Sequence, residues 1–157
     1  PAPITRLDQP VSGLVLFGTN SESEKNLFSL MREGKIYKWY QTELQGQHET
    51  ACYMVNQPLT HSGRFIRVDP EGKPALTLFI PGRIFPQSRI FSAFPLTGRR
   101  HQIRVHAASR LGAVVGDTLY GGPKREVPGI ALTCIGLNLT LGDRRYRIRL
   151  PERFRSL

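Results

Sequence analysis

Short apolar segments bounded by turn residues recur along the chain, whereas helical periodicity is confined to two stretches. Alternating or β-branched apolar runs are typical of strands. The candidate strands are 14–18, 36–44, 64–68, 75–80, 89–94, 130–141 and 146–150, with turn signals at 69–72 and 81–82. A chain of 157 residues fits one domain. Strands in this excess predict an α+β fold over residues 1–157, with a mixed, mostly antiparallel β-sheet and a few flanking helices.

Two stretches carry the signals of helices. Ser21 and Glu24 have the spacing of a capping box, and Gly34 stands where a glycine commonly ends a helix. The apolar face between them consists of Leu27, Leu30 and Met31. Residues 101–110 have helical composition and follow a Thr-Gly pair. We therefore expect helices in both places.

The chain is strongly basic. Twenty-two Lys and Arg against twelve Asp and Glu give a net charge of +10, and the sequence pI is about 10.3. Such a charge attracts polyanions over long distances, so RNA or DNA is the first candidate partner and an anionic membrane surface the second. A basic protein without a particular partner stays open on charge alone. A DNA-binding domain is the weaker alternative because no helix-turn-helix or zinc pattern is present.

Cysteine usage and hydropathy exclude several classes of protein. The two cysteines, Cys52 and Cys134, are far apart, and no CxxC pair or Cys/His cluster has zinc spacing. We expect no metal, and we interpret His101 and His106 as hydrogen-bonding groups. No apolar run approaches the length of a membrane span and no signal-peptide pattern opens the chain, so we expect a cytoplasmic protein without a membrane partner.

The first polar cluster precedes a candidate strand. Residues 6–13 read Arg-Leu-Asp-Gln-Pro-Val-Ser-Gly, directly before the apolar run at 14–18. A strand can hold such a loop still, which suits a functional site. The alternative is a solvated turn in which Asp8 caps backbone amides.

The second cluster, residues 98–106, is rich in Arg and His. In a helix, Arg100 and Arg104 would share one face, and Gln102 and His106 another. Arginine forks on such a face bind phosphates or a carboxylate. A solvated basic helix is the alternative.

Two smaller segments complete the set. Residues 116–122 are rich in glycine, which indicates a tight backbone passage, and we favour a structural role in which Asp117 binds backbone amides. The aromatic and basic segment Lys38-Trp39-Tyr40 could stack a base. Its alternative is a strand with core aromatics, an interpretation that fits Trp39 better than Tyr40.

Together these clusters resemble the pseudouridine synthases of the RluA type. The family's His-Arg-Leu-Asp-x-x-Thr-Ser-Gly signature is similar to residues 5–13, and its Lys-x-Tyr strand to residues 38–40. Its Gly-Arg-x-His-Gln-Ile-Arg-x-His segment is matched at every fixed position by residues 98–106, and its Gly-Asp-x-x-Tyr-Gly by residues 116–121. The four motifs keep the family's order, and the third is highly specific.

The departures from the family pattern suggest a divergent subgroup. Thr5 replaces the usual His, Val11 replaces the usual Thr, and residues 132–134 read Leu-Thr-Cys in place of Leu-His-Ala. None of these is a core catalytic position in the family. The family also has a strand and a Lys-Pro loop ahead of its first motif, so we expect an N-terminally short version of the catalytic domain.

The resemblance implies isomerisation of a uridine within RNA. The glycosidic C–N bond breaks, the uracil rotates and C5 bonds to the ribose, with no metal or other cofactor. Asp8 is the implied catalytic carboxylate, either as a nucleophile or as the base that removes a ribose proton. Arg104 matches the position that pairs with it, and Tyr40 matches the aromatic that packs on the target base or acts as general base at C5.

The resemblance also implies a structured RNA substrate, either tRNA or rRNA, bound by a monomer. The target base must be flipped out of its stack, and Arg6 matches the residue that fills the vacated space. The implied RNA-binding residues are Arg6, Lys38, Arg99, Arg100 and His101. An inactive RNA-binding module with the same fold is the alternative. The joint presence of Asp8, Tyr40 and Arg104 favours the enzyme.

Overall fold

A computed structural model describes residues 1–46 and 49–155. The strands are β1 (Ala2–Pro3), β2 (Ser12–Gly13), β3 (Phe17–Gly18), β4 (Tyr37–Gln45), β5 (Tyr53–Asn56), β6 (Leu59–Ser62), β7 (Phe65–Val68), β8 (Leu76–Ile84), β9 (Ser88–Pro95), β10 (Leu132–Leu141) and β11 (Arg144–Arg149). The helices are α1 (Ser21–Arg32) and α2 (Gln102–Arg110), and short 3-10 turns lie at Thr118–Tyr120 and Glu152–Phe154.

A seven-stranded sheet forms the centre of the molecule. Its strand order is β11-β10-β4-β9-β8-β5, and β2 pairs with β10. The β2–β10 pair is parallel, and the remaining pairs in this sheet are antiparallel. The hairpin β6–β7 and the pair β1–β3 stand apart from it. The predicted α+β fold with a mixed, mostly antiparallel sheet is therefore confirmed.

One face of the sheet carries the core. Side chains on a strand alternate between faces, so the register of β4, β8 and β9 brings alternate residues together on one side. Leu44, Phe79 and Phe91 are fully buried there, and the rings of Phe79 and Phe91 meet edge to face with centroids 6.4 Å apart. All three lie within the strands that the sequence predicts at 36–44, 75–80 and 89–94.

Helix α1 forms as predicted, but its cap lies one residue earlier. Asn20 is the N-cap: its side chain accepts from the Ser23 backbone N–H at 2.8 Å, and the Ser23 hydroxyl accepts from the Asn20 N–H at 3.1 Å. The predicted Ser21–Glu24 box is wrong because asparagine supplies the capping oxygen and the helix starts directly after it. Gly34 follows the C-cap with φ +69°, as its position predicted.

Helix α2 is buried rather than solvated. It packs against β7, β8 and β9, and its residues from Gln102 to Ala107 are buried. His106 is fully enclosed: Nε2 donates to the Gln57 carbonyl at 2.9 Å, and Nδ1 lies 2.8 Å from the Thr77 hydroxyl. Burial lowers the pKa of His106, which favours the neutral ring. The alternative of a solvated basic helix is wrong.

The turn predicted at residues 81–82 is not formed. Strand β8 continues to Ile84, with a register irregularity between Pro81 and Ile84. A proline lacks an N–H and is tolerated at such an irregularity. The Arg89 guanidinium, which donates to the Gly82 carbonyl at 3.1 Å, bridges the distorted strand to β9.

The sequence patterns missed the shortest and most polar strands. Strands β1 and β2 have only two residues each, and β3 covers only the end of the predicted segment 14–18. Strands β5 and β6 lie in a polar stretch. Strand β5 pairs with β8 and strand β6 with β7, and both partners come later in the chain. None of the described helices has the length and apolar character needed to cross a membrane.

A substitution at Gly13 tests how the N-terminal loop is attached to the sheet. Its φ is +116°, and a Cβ there would lie 2.3 Å from the Cys134 carbonyl oxygen. We expect Gly13→Ala to lower the free energy of unfolding by about 3 kcal/mol, because strained backbone and overpacking each cost about 1–3 kcal/mol. Chemical denaturation measures the change.

Gly34→Ala is the matched control. Gly34 also has a positive φ, but nothing lies within 4 Å of its added Cβ. We expect a loss of about 1 kcal/mol from the backbone alone. Equal losses for the two variants would contradict the close approach of β2 to β10.

Candidate active site

A cleft of about 1420 Å³ opens beside α2, between the loop ahead of β2 and the segment 116–130. Its walls include every residue that the sequence predicts to be catalytic or RNA-binding. These residues are Arg6, Asp8, Lys38, Tyr40, Arg99, Arg100, His101 and Arg104. The chain therefore brings together, in one place, side chains drawn from its first 104 positions.

Asp8 lies in the loop between β1 and β2. A tight turn closes this loop, with the Val11 N–H donating to the Asp8 carbonyl at 2.9 Å. The parallel pairing of β2 with β10 then anchors the loop's far end, and the Ile130 N–H donates to the Pro10 carbonyl at 3.1 Å. The Asp8 side chain keeps 24% of its surface exposed, so its carboxylate remains accessible from the cleft.

Arg104 and Asp117 form a buried pair at the cleft wall. Arg104 donates from Nε to Asp117 Oδ2 at 2.7 Å and from Nη2 to Oδ1 at 2.8 Å, and both residues are almost completely buried. Burial by itself would lower the pKa of Arg104, but the hydrogen bonds and charge of Asp117 raise it. The expectation that Asp117 binds backbone amides is wrong, since both its oxygens face the guanidinium.

The predicted contact between Asp8 and Arg104 is present. Arg104 Nη1, which the Asp117 pair leaves free, points to Asp8 Oδ2 at 3.5 Å. His101 Nε2 lies 4.0 Å from the other carboxylate oxygen of Asp8. Two nitrogen groups therefore flank the carboxylate, one on each oxygen. An ionised acid in a partly closed pocket needs such an opposing charge.

His101 stands immediately before α2 with a left-handed backbone, φ +53°. Because α2 begins at Gln102, Arg100 is not on the helix and does not share a face with Arg104. Burial lowers the pKa of His101, and the charges of Arg104 and Arg100 act in the same direction against those of Asp8 and Asp117. The imidazole therefore favours its neutral form.

Tyr40 lies on β4 with its side chain on the cleft side of the sheet. It is buried, whereas Trp39 is only half-buried, so the expectation that Trp39 is the better core residue is wrong. Burial raises the pKa of Tyr40, and the negative charge of Asp8 raises it further. The phenol therefore keeps its proton at neutral pH.

Lys38 and the arginines supply the positive charge of the cleft. Burial lowers the pKa of Lys38, and no carboxylate within residues 1–46 and 49–155 lies within ion-pair distance of its ammonium group. Arg6, Arg99 and Arg100 are exposed at the cleft mouth, and Arg99 is tethered through Nε to the Pro74 carbonyl at 2.9 Å. An anion entering the cleft meets these groups first.

Sequence reasoning missed four residues at the site. Asp117 and Tyr120 lie within the 116–121 motif, and their polar side chains were the available signal. Arg64 and Arg125 also line the cleft, but no local pattern distinguishes them from other surface arginines. In the part of the chain that the structure describes, no group of three His, Cys, Asp or Glu side chains is placed to hold a metal ion.

Comparisons with known proteins place the chain in a family. The family model described as RNA pseudouridylate synthase matches residues 1–109. A protein of Vibrio vulnificus named ribosomal large subunit pseudouridine synthase C is 34% identical over 120 residues, covering 75% of this chain and 38% of that protein. An uncharacterized RNA pseudouridine synthase of Helicobacter pylori is 32% identical over 175 residues, covering 97% of this chain and 59% of its own. The chain thus spans less than two thirds of the length of these relatives.

Solved structures share the fold. Human RNA pseudouridylate synthase domain containing 1 superposes with a TM-score of 0.85 at 21% identity, over 97% of this chain and 69% of that chain. Human RNA pseudouridylate synthase domain containing 4 gives a TM-score of 0.79 at 17% identity, over 97% and 72%. With the family model matching well over half of its residues, this chain belongs to the RNA pseudouridylate synthase family.

Proposed function

We propose that this chain carries the catalytic site of an enzyme that isomerises uridine to pseudouridine in structured RNA. The observation that supports this most is the position of Asp8, whose carboxylate lies 3.5 Å from Arg104 in a basic cleft. Membership of the RNA pseudouridylate synthase family supports the same reaction. The uracil leaves C1′ of the ribose, rotates, and returns bonded through C5.

Asp8 is the proposed catalytic carboxylate. It is the acidic side chain that both lines the cleft and keeps surface open to it, whereas Asp117 is buried against Arg104. The guanidinium of Arg104 lies 3.5 Å from one Asp8 oxygen, and the 24% of the side chain that stays exposed leaves the carboxylate open to a ribose in the cleft. This arrangement serves either a nucleophile at C1′ or a base that removes a ribose proton.

Tyr40 is proposed to pack against the flipped uracil. Its ring lines the cleft and its burial raises the pKa of the phenol. A protonated phenol can donate a hydrogen bond to a uracil carbonyl but cannot accept the C5 proton. The support is therefore stronger for a packing and donor role than for a general base.

The basic residues at the cleft are proposed to bind the RNA backbone. Arg6, Arg99 and Arg100 are exposed at its mouth, where guanidinium forks can reach phosphates. Lys38 lies deeper, without a carboxylate partner among the described residues. A phosphate or uracil oxygen of the bound RNA would be the partner of its ammonium group. Arg6 is proposed to occupy the space that the flipped base vacates.

Ribosomal RNA is the proposed substrate, with tRNA as the second candidate. Several similar proteins are named for the ribosomal large subunit. We propose a monomer, since one chain supplies Asp8, Tyr40 and Arg104 of the same cleft. Both cysteines are unpaired, as is usual in a reducing compartment such as the cytoplasm.

Asp8→Asn tests the catalytic carboxylate. The amide is of equal size but cannot act as nucleophile or base, so we expect pseudouridine formation in large-subunit rRNA and tRNA transcripts to disappear. RNA affinity should stay within about fivefold, because a single neutralised acid in a basic cleft does not weaken phosphate contacts. Carbodiimide labelling with primer extension detects the product, and filter binding gives the affinity.

Two results would contradict this proposal in different ways. Pseudouridine made by Asp8→Asn would exclude Asp8 as the catalytic group. Wild-type protein that binds these RNAs without modifying either of them would favour the inactive RNA-binding module.

Asp117→Asn tests the buried pair behind Asp8. Removing one charge of a buried pair leaves the other uncompensated, so we expect the free energy of unfolding to fall by about 3 kcal/mol. We also expect kcat to fall more than RNA affinity, since Arg104 loses the contacts that direct it to Asp8. Asp69→Asn, in an exposed pair with Arg67 at 3.0 Å, is the control and should cost less than about 1 kcal/mol. Equal losses would contradict the structural role of the Arg104–Asp117 pair.

A further inference from the structure

A chain of hydrogen bonds leads from the backbone of β7 to His101, whose ring lies beside the Asp8 carboxylate. The Ile66 N–H lies 2.9 Å from the Tyr120 hydroxyl, and this hydroxyl lies 2.7 Å from His101 Nδ1. On the other side of the imidazole, Nε2 lies 4.0 Å from Asp8 Oδ1. These four residues come from separate parts of the sequence. Tyr120 is the tyrosine of the motif at 116–121, but no sequence pattern gave Tyr120 or Ile66 a role at the site.

The direction of each bond follows from its donor. A backbone N–H can only donate, so the Tyr120 oxygen accepts from Ile66. With that oxygen already accepting from Ile66, the arrangement that also uses the Tyr120 proton has the hydroxyl donating to His101 Nδ1, 2.7 Å away. A neutral imidazole that accepts at Nδ1 carries its proton on Nε2. The reverse tautomer would leave the Tyr120 proton without this partner and would turn a bare nitrogen towards a carboxylate.

We infer that Tyr120 fixes neutral His101 in the tautomer that presents Nε2–H to Asp8, and that His101 is thereby a positioning residue for the reaction. The catalytic part of this inference rests on the proposed function. At 4.0 Å the Nε2–Asp8 contact is longer than a hydrogen bond. Such contacts commonly tighten when substrate binds. In the RNA complex, Arg104 and His101 then hold one carboxylate oxygen each.

The groups around His101 are consistent with a neutral ring that is protonated at Nε2. Arg104 extends its guanidinium over the Tyr120 ring at 5.0 Å, and burial raises the pKa of Tyr120, so the hydroxyl keeps its proton. The charged and titratable groups facing His101 are Asp8, Arg100, Arg104, Asp117 and Tyr120. Burial is the largest influence on His101 and lowers its pKa.

Tyr120→Phe tests the tautomer directly. Long-range proton–nitrogen NMR correlations on nitrogen-15-labelled protein should show His101 protonated at Nε2 in the wild type. In Tyr120→Phe, Nδ1 loses its donor, so we expect a mixture of tautomers and a higher His101 pKa in a pH titration. Tyr53→Phe removes a hydroxyl from β5, outside the residues lining the cleft, and should leave the His101 signals unchanged.

Kinetics test the positioning role. We expect Tyr120→Phe to lower kcat at least about tenfold, because a misplaced His101 proton removes a contact with the Asp8 carboxylate that has the size of a hydrogen bond to a charged group, with KM changed less than about twofold. The acid limb of its pH–rate profile should move to higher pH, because His101 protonates more easily. A merely structural role would lower stability without moving this limb.

The outcomes separate this inference from the proposed function. Protonation of wild-type His101 at Nδ1, or an unchanged His101 spectrum in Tyr120→Phe, would overturn the tautomer assignment whatever the activity. Full kcat in Tyr120→Phe would overturn the positioning role. If wild-type His101 carries its proton on Nε2 but the protein modifies no RNA, the proposed function is overturned. The positioning role then fails with it, whereas the tautomer assignment stands.

A second surface, away from the cleft, rests on a different observation. The edge strand β11 carries four exposed arginines: Arg144, Arg145, Arg147 and Arg149. No carboxylate of the described residues lies within 4.0 Å of their guanidinium groups, and none of them lines the cleft. The register with β10 and β4 sets Arg149 and Trp39 on the same face of the sheet, opposite Tyr40.

Among these arginines, Arg149 is held in place by its neighbours. Gly136 lies between Arg149 and Trp39 in the register, and a Cβ on it would meet the Arg149 guanidinium at 2.9 Å. The missing side chain lets Arg149 pass over Gly136 and lie 5.1 Å from the Trp39 ring centroid, while Nη1 donates to Asn138 Oδ1 at 2.9 Å. Trp39 in turn stacks on Phe94.

We propose that β11 binds the phosphate backbone of the same RNA, outside the segment that enters the cleft. Arginines two residues apart on a strand are about 6.5 Å apart, and unpaired guanidinium groups along an edge suit a polyanion. The two surfaces would contact one structured RNA around the β10–β11 edge of the sheet.

The triple variant Arg144→Gln, Arg145→Gln, Arg147→Gln tests this surface. With a structured rRNA fragment, we expect the slope of log affinity against log salt to become shallower by about 2, because each lost phosphate contact removes about 0.7–0.9. The control is Arg32→Gln, Arg83→Gln, Arg110→Gln, which removes as much charge from exposed positions off the cleft. Its slope should change by less than about half as much.

Equal changes in the two triple variants would overturn the proposal, because net charge alone would then explain them. An unchanged slope in the β11 variant would overturn it as well. The proposal would also be overturned if the β11 variant lost binding to phosphatidylserine vesicles and kept its RNA binding, because the strand would then bind a membrane surface. None of these measurements requires catalytic activity, so they do not depend on the reaction proposed for the cleft.

Discussion

The bidentate bond between Arg104 and Asp117 is the interaction on which the site depends. It joins the buried helix α2 to the loop ahead of the Thr118–Tyr120 turn, and it uses two guanidinium nitrogens so that the third points to Asp8. Two opposite charges enclosed in this way satisfy each other, whereas either alone would be costly to bury. The same guanidinium lies over Tyr120, whose hydroxyl orients His101. One buried pair therefore determines the surroundings of the carboxylate from two directions.

The sheet provides the second half of the site. Strand β4 presents Tyr40 and Lys38 to the cleft on one face and Trp39 to the opposite face, because alternate residues point to opposite sides. Strand β2 brings the Asp8 loop onto β10 through a short parallel pairing, which Gly13 permits by its positive φ and its lack of a side chain. A flexible loop thus becomes a fixed wall of the cleft. The basic residues around it then face a common opening.

The strands and the site residues differ in how far local sequence patterns predict them. The alternating patterns located β4, β8 and β9 well, since a half-buried strand imposes a period of two on its own residues. They failed at β2 and β5, where short or polar strands owe their existence to a partner strand. The motif at residues 98–106 identified Arg104 and His101, but the neighbouring motif hid the role of Asp117. A local reading treats an Asp between glycines as a turn residue, and only a distant arginine makes it an ion-pair partner.

The sequence by itself determined the fold class, the family and several of the residues that line the cleft, because these depend on local periodicity and on motifs with little freedom of substitution. The resemblance predicted one contact among them, that of Asp8 with Arg104, and only the tertiary structure decided the others and all the distances. Asp8 and Arg104 are separated by 96 positions and meet through the pairing of β2 with β10 and the packing of α2. The tautomer expected for His101 and the partner of Asp117 likewise depend on groups brought close by folding. Distances and donor directions are properties of the packed chain, and no local pattern encodes them.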